Sequence, residues 1–245
     1  IGIMKLIAGC KTCTGNFREM NQDAVILRVA EKEKKYFAIL GVCDGIGGLE
    51  KGEVVAEIAV KRIAEWFDSE IEWLDIVTVE ESLMFAHLKD LADNCNEIIK
   101  EYCVVHRIIA GTTLSLLMIL RDQYYIIQVG DSRVYRYRAQ KLTQLTVDAS
   151  VTKMKNGRLK AYLDNYLGKD NELWFTSTVG TCEKKDILLV CSDGLYHKLQ
   201  KEDLAKIERD IFKNKKVEEA CTDLIQRVLS RGERDNVTVG IIAML

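Results

Sequence analysis

The stretch that decides the fold is ILGVCDGIGG, Ile39–Gly48, in which an apolar run ends at the carboxylate of Asp44 and several glycines. A single Asp-Gly pair is typical of a turn. The arrangement recurs where DILLVCSDGLY reaches Asp193, and a related one occurs where YYIIQVGDSR reaches Asp131. Because a simple turn has no reason to recur in this form, the three aspartates indicate one shared site at the ends of strands.

Composition excludes several classes of function. The formal net charge of -2 provides no basic field for nucleic acid, so we expect no nucleic-acid partner. No apolar run is long enough to cross a bilayer, and we expect no membrane association. The chain has no Gly/Ser linker, repeat or low-complexity tract, which favours a single domain over residues 1–245. We interpret residues 1–3 as an extension before the natural start at Met4.

The eight cysteines do not form a disulfide pattern. Several lie inside apolar runs, and a chain of this length can build a core without disulfides, so we expect free thiols in the reducing cytoplasm. The CKTC stretch, Cys10–Cys13, has the spacing of a redox or zinc pair. No second pair exists and no histidine lies near it in sequence, which argues against a metal role for this stretch.

Hydrophobic periodicity predicts an α+β protein with antiparallel sheets. DAVILRVA and KYFAILGVC flank the charged turn EKEKK and predict a hairpin. Helical spacing predicts helices over Gly52–Phe67, Glu80–Tyr102 and Lys216–Leu229. Six further β-type runs are TTLSLLMIL, QYYIIQVG, RVYRYR, ELWFTSTV, KKDILLVCSD and NVTVGIIAML. The polar region 148–171 has no clear pattern. Strands and helices therefore come in blocks rather than in βαβ alternation.

Carboxylates adjoin five of these β-type runs. They are Asp23, Asp44, Asp131, Asp193 and Asp235. If the strand ends converge, charges of one sign share a site and need compensation, which a divalent cation supplies. Oxygen ligands without histidine or cysteine favour Mg²⁺ or Mn²⁺, and a glycine after Asp44 lets a backbone carbonyl approach the ion as well.

Seven motifs in series carry a resemblance to a known family. In order they are RxxNQDA from Arg18, DGIGGxxxGExxA from Asp44, GTT, GDSRVY, LTVDAS, SDGL and RDNVTV. This series resembles the metal-dependent protein phosphatases of type 2C, the PPM family, in its compact bacterial form. The resemblance implies a four-layer αββα sandwich, in which helices flank two antiparallel sheets and the metals lie at one end.

The resemblance also implies a set of metal ligands. Asp44 is similar to the carboxylate that bridges two Mn²⁺ or Mg²⁺ ions, and the carbonyl of Gly45 is similar to a ligand of the second ion. Asp193 and Asp235 correspond to ligands of the first ion. Asp131, together with Asp193, matches the position that binds a weaker third ion.

Three other residues receive roles from the same resemblance. Arg18 resembles the arginine that grips the substrate phosphate, while Asp23 and Asn236 are expected to orient water molecules on the metals. A water that bridges the two ions would attack the phosphorus of phosphoserine or phosphothreonine in line. The resemblance implies a signalling hydrolase that acts on phosphorylated proteins and opposes a Ser/Thr kinase. We expect this enzyme to be cytoplasmic and monomeric.

The chain departs from the family pattern near the expected site. Ile46 replaces a histidine that some members have as a candidate general acid, and Gln22 stands where others have a glutamate ligand. Ala149 replaces the histidine of the LTxDHS pattern. The stretch that follows is short, and the usual TRALG is reduced to NYLG, so substrate preference is the least secure part of the resemblance.

Three alternatives remain beside an active phosphatase. A catalytically silent member of the fold could serve as a binding module, although retention of buried charges at Asp44, Asp193 and Asp235 argues against it. An unrelated metal-dependent hydrolase or nucleotidyl enzyme would be expected to have a P-loop, HD or DxD pattern. A cysteine-dependent phosphatase would need a glycine-rich C-x5-R stretch, which is missing.

Overall fold

The computed structural model describes residues 5–32, 35–46, 48–70, 80–155, 158–169 and 173–245. The predicted extension at residues 1–3 and the glycine at 47 lie outside the described residues. The strands are β1 (Leu6–Cys13), β2 (Asp23–Lys32), β3 (Lys35–Asp44), β4 (Leu114–Leu120), β5 (Gln123–Val129), β6 (Arg133–Arg138), β7 (Lys141–Gln144), β8 (Ser150–Lys155), β9 (Arg158–Leu163), β10 (Thr176–Thr181), β11 (Ile187–Cys191) and β12 (Val237–Met244). The helices are α1 (Gly52–Glu70), α2 (Glu81–His106), α3 (Asp193–Tyr196), α4 (Lys201–Asn214) and α5 (Val217–Ser230).

The strands form two five-stranded sheets and one separate hairpin. One sheet has the order β1-β12-β11-β6-β7 and the other has the order β10-β5-β4-β3-β2. Every pairing within them is antiparallel. Strands β8 and β9 pair with each other and belong to neither five-stranded sheet. The predicted hairpin is β2–β3, in which Asp23 lies opposite Asp44.

Alternation along the strands explains the four layers. In β3, Ile39 and Cys43 belong to the apolar cluster that includes α1 and α2, whereas Leu40 and Val42 belong to the cluster between the sheets. The helices α4 and α5 cover the outer face of the other sheet. Because successive side chains of a strand point to opposite faces, a strand covered on both sides must be apolar throughout. This arrangement confirms the predicted αββα sandwich.

Some elements differ from their sequence-based prediction. Strands β1 and β7 and helix α4 were not predicted, and the unassigned region 148–171 contains the β8–β9 hairpin. Strand β10 begins at Thr176, later than the run ELWFTSTV predicts, and α2 continues to His106. All eight cysteines are unpaired. Within the described ranges, no helix is both long and apolar enough to span a bilayer.

Candidate active site

A cleft of about 240 Å³ opens where the sheets end. It is lined by Arg18, Gln22, Asp44, Gly45, Ile46, Thr113, Asp131, Leu163, Asp193, Asp235 and Asn236. Four of the five predicted acids are therefore brought together, and the fifth, Asp23, lies opposite Asp44 across the β2–β3 pair. The convergence on which the sequence-based hypothesis depends is present.

The end of β3 fixes Asp44 through its backbone. The N–H of Asp44 donates to Thr113 Oγ1 at 3.0 Å, and its carbonyl accepts the N–H of Thr113 at 2.9 Å. The N–H of Gly45 then donates to the carbonyl of Gln22 at 3.0 Å. Both backbone groups of Asp44 are thus bonded to Thr113, just before β4, and Asp44 lines the cleft from this fixed position.

The segments that carry Asp193 and Asp235 are packed directly against each other. Asp193 begins α3, with one residue between it and the end of β11, and Gly194 follows it. A Cβ at Gly194 would lie 1.9 Å from the carbonyl oxygen of Asn236, so no other residue fits this position. The glycine in SDGL is thus required by a close approach of two backbones, which brings the two aspartates to the same cleft.

Asp23 is held by hydroxyl donors behind the cleft. It is 9% exposed, and its Oδ2 accepts bonds from Ser192 Oγ at 2.8 Å and Thr238 Oγ1 at 2.6 Å. Burial raises the pKa of Asp23 to about 6, although the two hydroxyl bonds act in the opposite direction. Its fixed orientation is consistent with a role in positioning other groups of the cleft.

The acids raise one another's pKa values. The pKa of Asp44 is raised well above its ordinary value, first by burial and then by the charges of Asp23, Asp193, Asp131 and Asp235. Burial, followed by neighbouring acids, likewise raises the pKa of Asp131 and of Asp193 to about 6, and the nearby His197 partly offsets both. A cation in the cleft would relieve this repulsion.

Arg18 supplies positive charge to the cleft. Its Nη2 donates to Asp235 Oδ2 at 2.7 Å, and this hydrogen bond is the main cause of its raised pKa. The nearby charges of Asp193 and Asp44 contribute in the same direction. Arg18 is about half exposed, so its guanidinium also remains accessible to an anion that enters the cleft.

The donor set of the cleft fits hard divalent cations. The side chains predicted as ligands are all carboxylates, and their repulsion gives a cation a reason to bind. As the side chains stand, no three His, Cys, Asp or Glu residues in the described part of the chain are grouped closely enough to hold an ion. Binding would therefore require the carboxylates to draw together.

The structure adds residues that the sequence-based hypothesis did not include. Glu233 is 5% exposed, and its Oε1 accepts the N–H groups of Arg234 and Asp235 at 2.8 and 3.0 Å. Thr113 belongs to the GTT motif that carried the resemblance, but sequence gave no hint that it holds Asp44. These two residues hold the backbone at or beside Asp44 and Asp235, and residue type alone does not reveal such contacts.

Comparisons with known proteins point to one family. The family model for Protein phosphatase 2C matches residues 18–231. The serine/threonine phosphatase stp of Listeria welshimeri is 28% identical over 247 residues, covering 95% of this chain and 93% of that protein. Protein phosphatase PhpP of Streptococcus pneumoniae is 25% identical, covering 95% of both chains. A solved structure of the catalytic domain of the serine/threonine protein phosphatase PstP, in complex with 2 manganese ions, matches with a TM-score of 0.76 at 25% identity over 99% of both chains.

Proposed function

Since this chain belongs to the protein phosphatase 2C family, we propose that it hydrolyses phosphoserine and phosphothreonine in proteins with two Mn²⁺ or Mg²⁺ ions in its acidic cleft. The observation that carries the proposal is the convergence of Asp44, Asp193 and Asp235, with Arg18, on one cleft. One matched relative is a serine/threonine phosphatase and another is a protein phosphatase, which supports the same reaction.

The ions would be held by Asp44, Gly45, Asp193 and Asp235, and a weaker third ion by Asp131 with Asp193. Two divalent cations supply positive charge for the phosphoryl oxygens and a nucleophilic water of lowered pKa. The PstP structure contains two manganese ions, which supports this number. The raised pKa values of the acids also support the proposal, because a cation favours the ionised forms over the repulsion that opposes them.

Arg18 would bind the phosphate of the substrate. A guanidinium can hold two phosphate oxygens at once and offset their charge. Its bond to Asp235 places it at the edge of the cleft, where an incoming phosphate would meet it. Asp23, fixed by Ser192 and Thr238, would keep the neighbouring carboxylates and waters oriented.

In the cell we expect a cytoplasmic, monomeric enzyme with no nucleic-acid or membrane partner. Its substrates would be phosphorylated proteins, and it would oppose a Ser/Thr kinase by acting on the kinase or on its targets. This physiological role rests on the kinds of relative that match and on the composition of the chain.

One assay tests the reaction. Hydrolysis of p-nitrophenyl phosphate and of a phosphothreonine peptide is measured with Mn²⁺ and with EDTA, for the wild type, Asp193→Asn and a control, Asp93→Asn. Asp93 lies on the exposed side of α2 in a pair with Lys89, far from the cleft acids in sequence. We expect turnover only with metal, its loss in Asp193→Asn and its retention in Asp93→Asn. Turnover in EDTA would refute the proposal, and tight Mn²⁺ binding without turnover would favour a silent binding module.

A further inference from the structure

The loop that carries Arg18 is fastened at both ends by one amide. Asn236 Nδ2 donates to the carbonyl of Thr14 at 2.8 Å and to the carbonyl of Met20 at 3.0 Å. These two residues are the ends of the segment 14–20, which contains Arg18. Because both hydrogens of the same amide nitrogen are used, the two ends of the loop are held next to each other.

The carbonyl oxygen of the same side chain fixes the chain just beyond the loop. Asn236 Oδ1 accepts the N–H of Gln22 at 2.9 Å, and the residue is 5% exposed. Its amide has no further N–H to offer to a water molecule. The role that sequence suggested for Asn236, the orientation of water on the metals, would therefore have to use an oxygen that already accepts one bond.

The loop also lies directly on the backbone beside the cleft. Gly15 has φ +79°, a conformation that favours glycine, and a Cβ at this position would lie 2.5 Å from the carbonyl oxygen of Asp235. Across the loop, the guanidinium of Arg18 reaches Asp235 Oδ2 at 2.7 Å. The loop thus meets the Asp235–Asn236 segment through its glycine, through its two ends and through its arginine.

We propose that Asn236 is a positioning residue that sets the place of Arg18 by closing the 14–20 loop. The inference rests on the proposed function, in which Arg18 binds the substrate phosphate. A guanidinium at the end of a long side chain binds a phosphate well only if its backbone is fixed, since displacements of about 1 Å can cost up to about a hundredfold in rate. The side chain of Asn236 fixes that backbone, whereas the bond to Asp235 Oδ1 comes from its own main-chain N–H and remains after substitution.

The test compares Asn236→Ala with Asn96→Ala. Asn96 is also 5% exposed, and its side chain also accepts a loop N–H, that of Gly168, at 2.8 Å. With a phosphothreonine peptide and saturating Mn²⁺, we expect Asn236→Ala to raise KM about tenfold with a smaller change in kcat, because substrate binding by Arg18 is disturbed. The control should keep KM within about twofold.

A double-mutant cycle separates positioning from general support of the fold. In an Arg18→Ala background the Asn236→Ala substitution should change KM by less than about twofold, because its effect passes through the missing guanidinium. An equal tenfold effect in both backgrounds would overturn the proposal. So would a matching loss of Mn²⁺ affinity by calorimetry, which would show that the amide supports metal ligation instead.

Hydrogen–deuterium exchange gives a readout that needs no turnover. Amides of residues 14–20 should exchange faster in Asn236→Ala than in the wild type or in Asn96→Ala. Unchanged exchange would overturn the proposal that Asn236 closes the loop. If the wild type hydrolyses no phosphoester, the proposed function fails together with the role given to Arg18. The exchange result still decides separately whether Asn236 closes the loop.

Discussion

Replacing Asp193 by asparagine should make the protein more stable in EDTA while it removes the phosphatase activity. The carboxylate of Asp193 is mostly buried and lies near Asp235 and Asp23. Asparagine keeps the shape of the side chain but carries no charge. The repulsion among the acids of the cleft therefore decreases, and with it the cost of folding at neutral pH.

The size of the effect follows from the pKa of Asp193. Burial, followed by the neighbouring acids, raises it from 3.8 to about 6. At about 1.4 kcal/mol for each pKa unit, holding this group ionised at pH 7.5 costs up to about 3 kcal/mol. Partial exposure to solvent and relaxation of the side chains reduce this cost. We therefore expect Asp193→Asn to raise the free energy of unfolding by about 2 kcal/mol. For a chain of this length that is roughly 4–8 °C in Tm.

The pKa of Asp193 also determines whether stability rises or falls with pH. Because the folded pKa lies above the unfolded one, the wild type holds the extra proton between about pH 4 and 6 and loses stability as pH rises through this window. The advantage of Asp193→Asn should thus be full at pH 7.5 and nearly absent at pH 4. In saturating Mn²⁺ the order should reverse, since binding stabilises the wild type more.

Thermal unfolding in EDTA at several pH values measures the difference in stability between Asp193→Asn and the wild type. The matched control is Asp203→Asn. Asp203 is fully buried, and its two oxygens accept bonds from Arg231 at 2.6 and 2.7 Å. Burial acts to raise the pKa of Asp203, but the bonds from Arg231, the N–H of Gln200 and the nearby positive charges together lower the pKa. The same substitution should therefore destabilise the protein at this site. A lower Tm for Asp193→Asn at pH 7.5, or a gain that persists at pH 4, would refute the electrostatic account.

Three further substitutions test other contacts. Gln22→Glu adds a carboxylate to the lining of the cleft and should tighten Mn²⁺ binding about tenfold by calorimetry; an unchanged Kd would contradict this. Arg138→Leu removes the guanidinium that bonds both oxygens of the buried Asp186 at 2.6 Å. The free energy of unfolding in urea should fall by about 3 kcal/mol, and a decrease below about 1 kcal/mol would contradict this expectation. Gly240→Ala would place a Cβ 2.3 Å from Leu40 Cδ1 between the sheets. It should lower the free energy of unfolding by about 1–3 kcal/mol, and an unchanged stability would show that the core between the sheets can adjust.

Sequence predicted the parts of the molecule whose signals are local. Asp44 ends a buried strand, Asp193 comes just after another, and each precedes a glycine, a pattern that can be recognised within ten residues. The αββα layers followed from the family resemblance, whereas the residues alone predicted only antiparallel sheets with helices. The continuous apolar runs are now explained, because the helices cover the outer face of each sheet and the other sheet covers its inner face.

Other parts were missed for different reasons. Helix α4 had a usable signal, since Leu204, Ile207 and Ile211 have helical spacing and are buried, but its many charges obscured it. The β8–β9 hairpin lies outside the two five-stranded sheets, in a polar stretch of sequence whose periodicity is too weak to mark a strand. The amide of Asn236 bonds to carbonyls 222 and 216 residues away, and no pattern within one segment could reveal such a contact.

The position of β12 has a consequence for the biosynthesis of the protein. This strand follows all others in the chain but lies between β1 and β11, inside its sheet. A ribosome that has made residues up to about 230 has produced a chain whose first strand lacks its partner and whose cleft lacks Asp235. Folding that depends on such distant pairings is slow. A growing polypeptide therefore cannot dephosphorylate a substrate before β12 has left the exit tunnel of the ribosome.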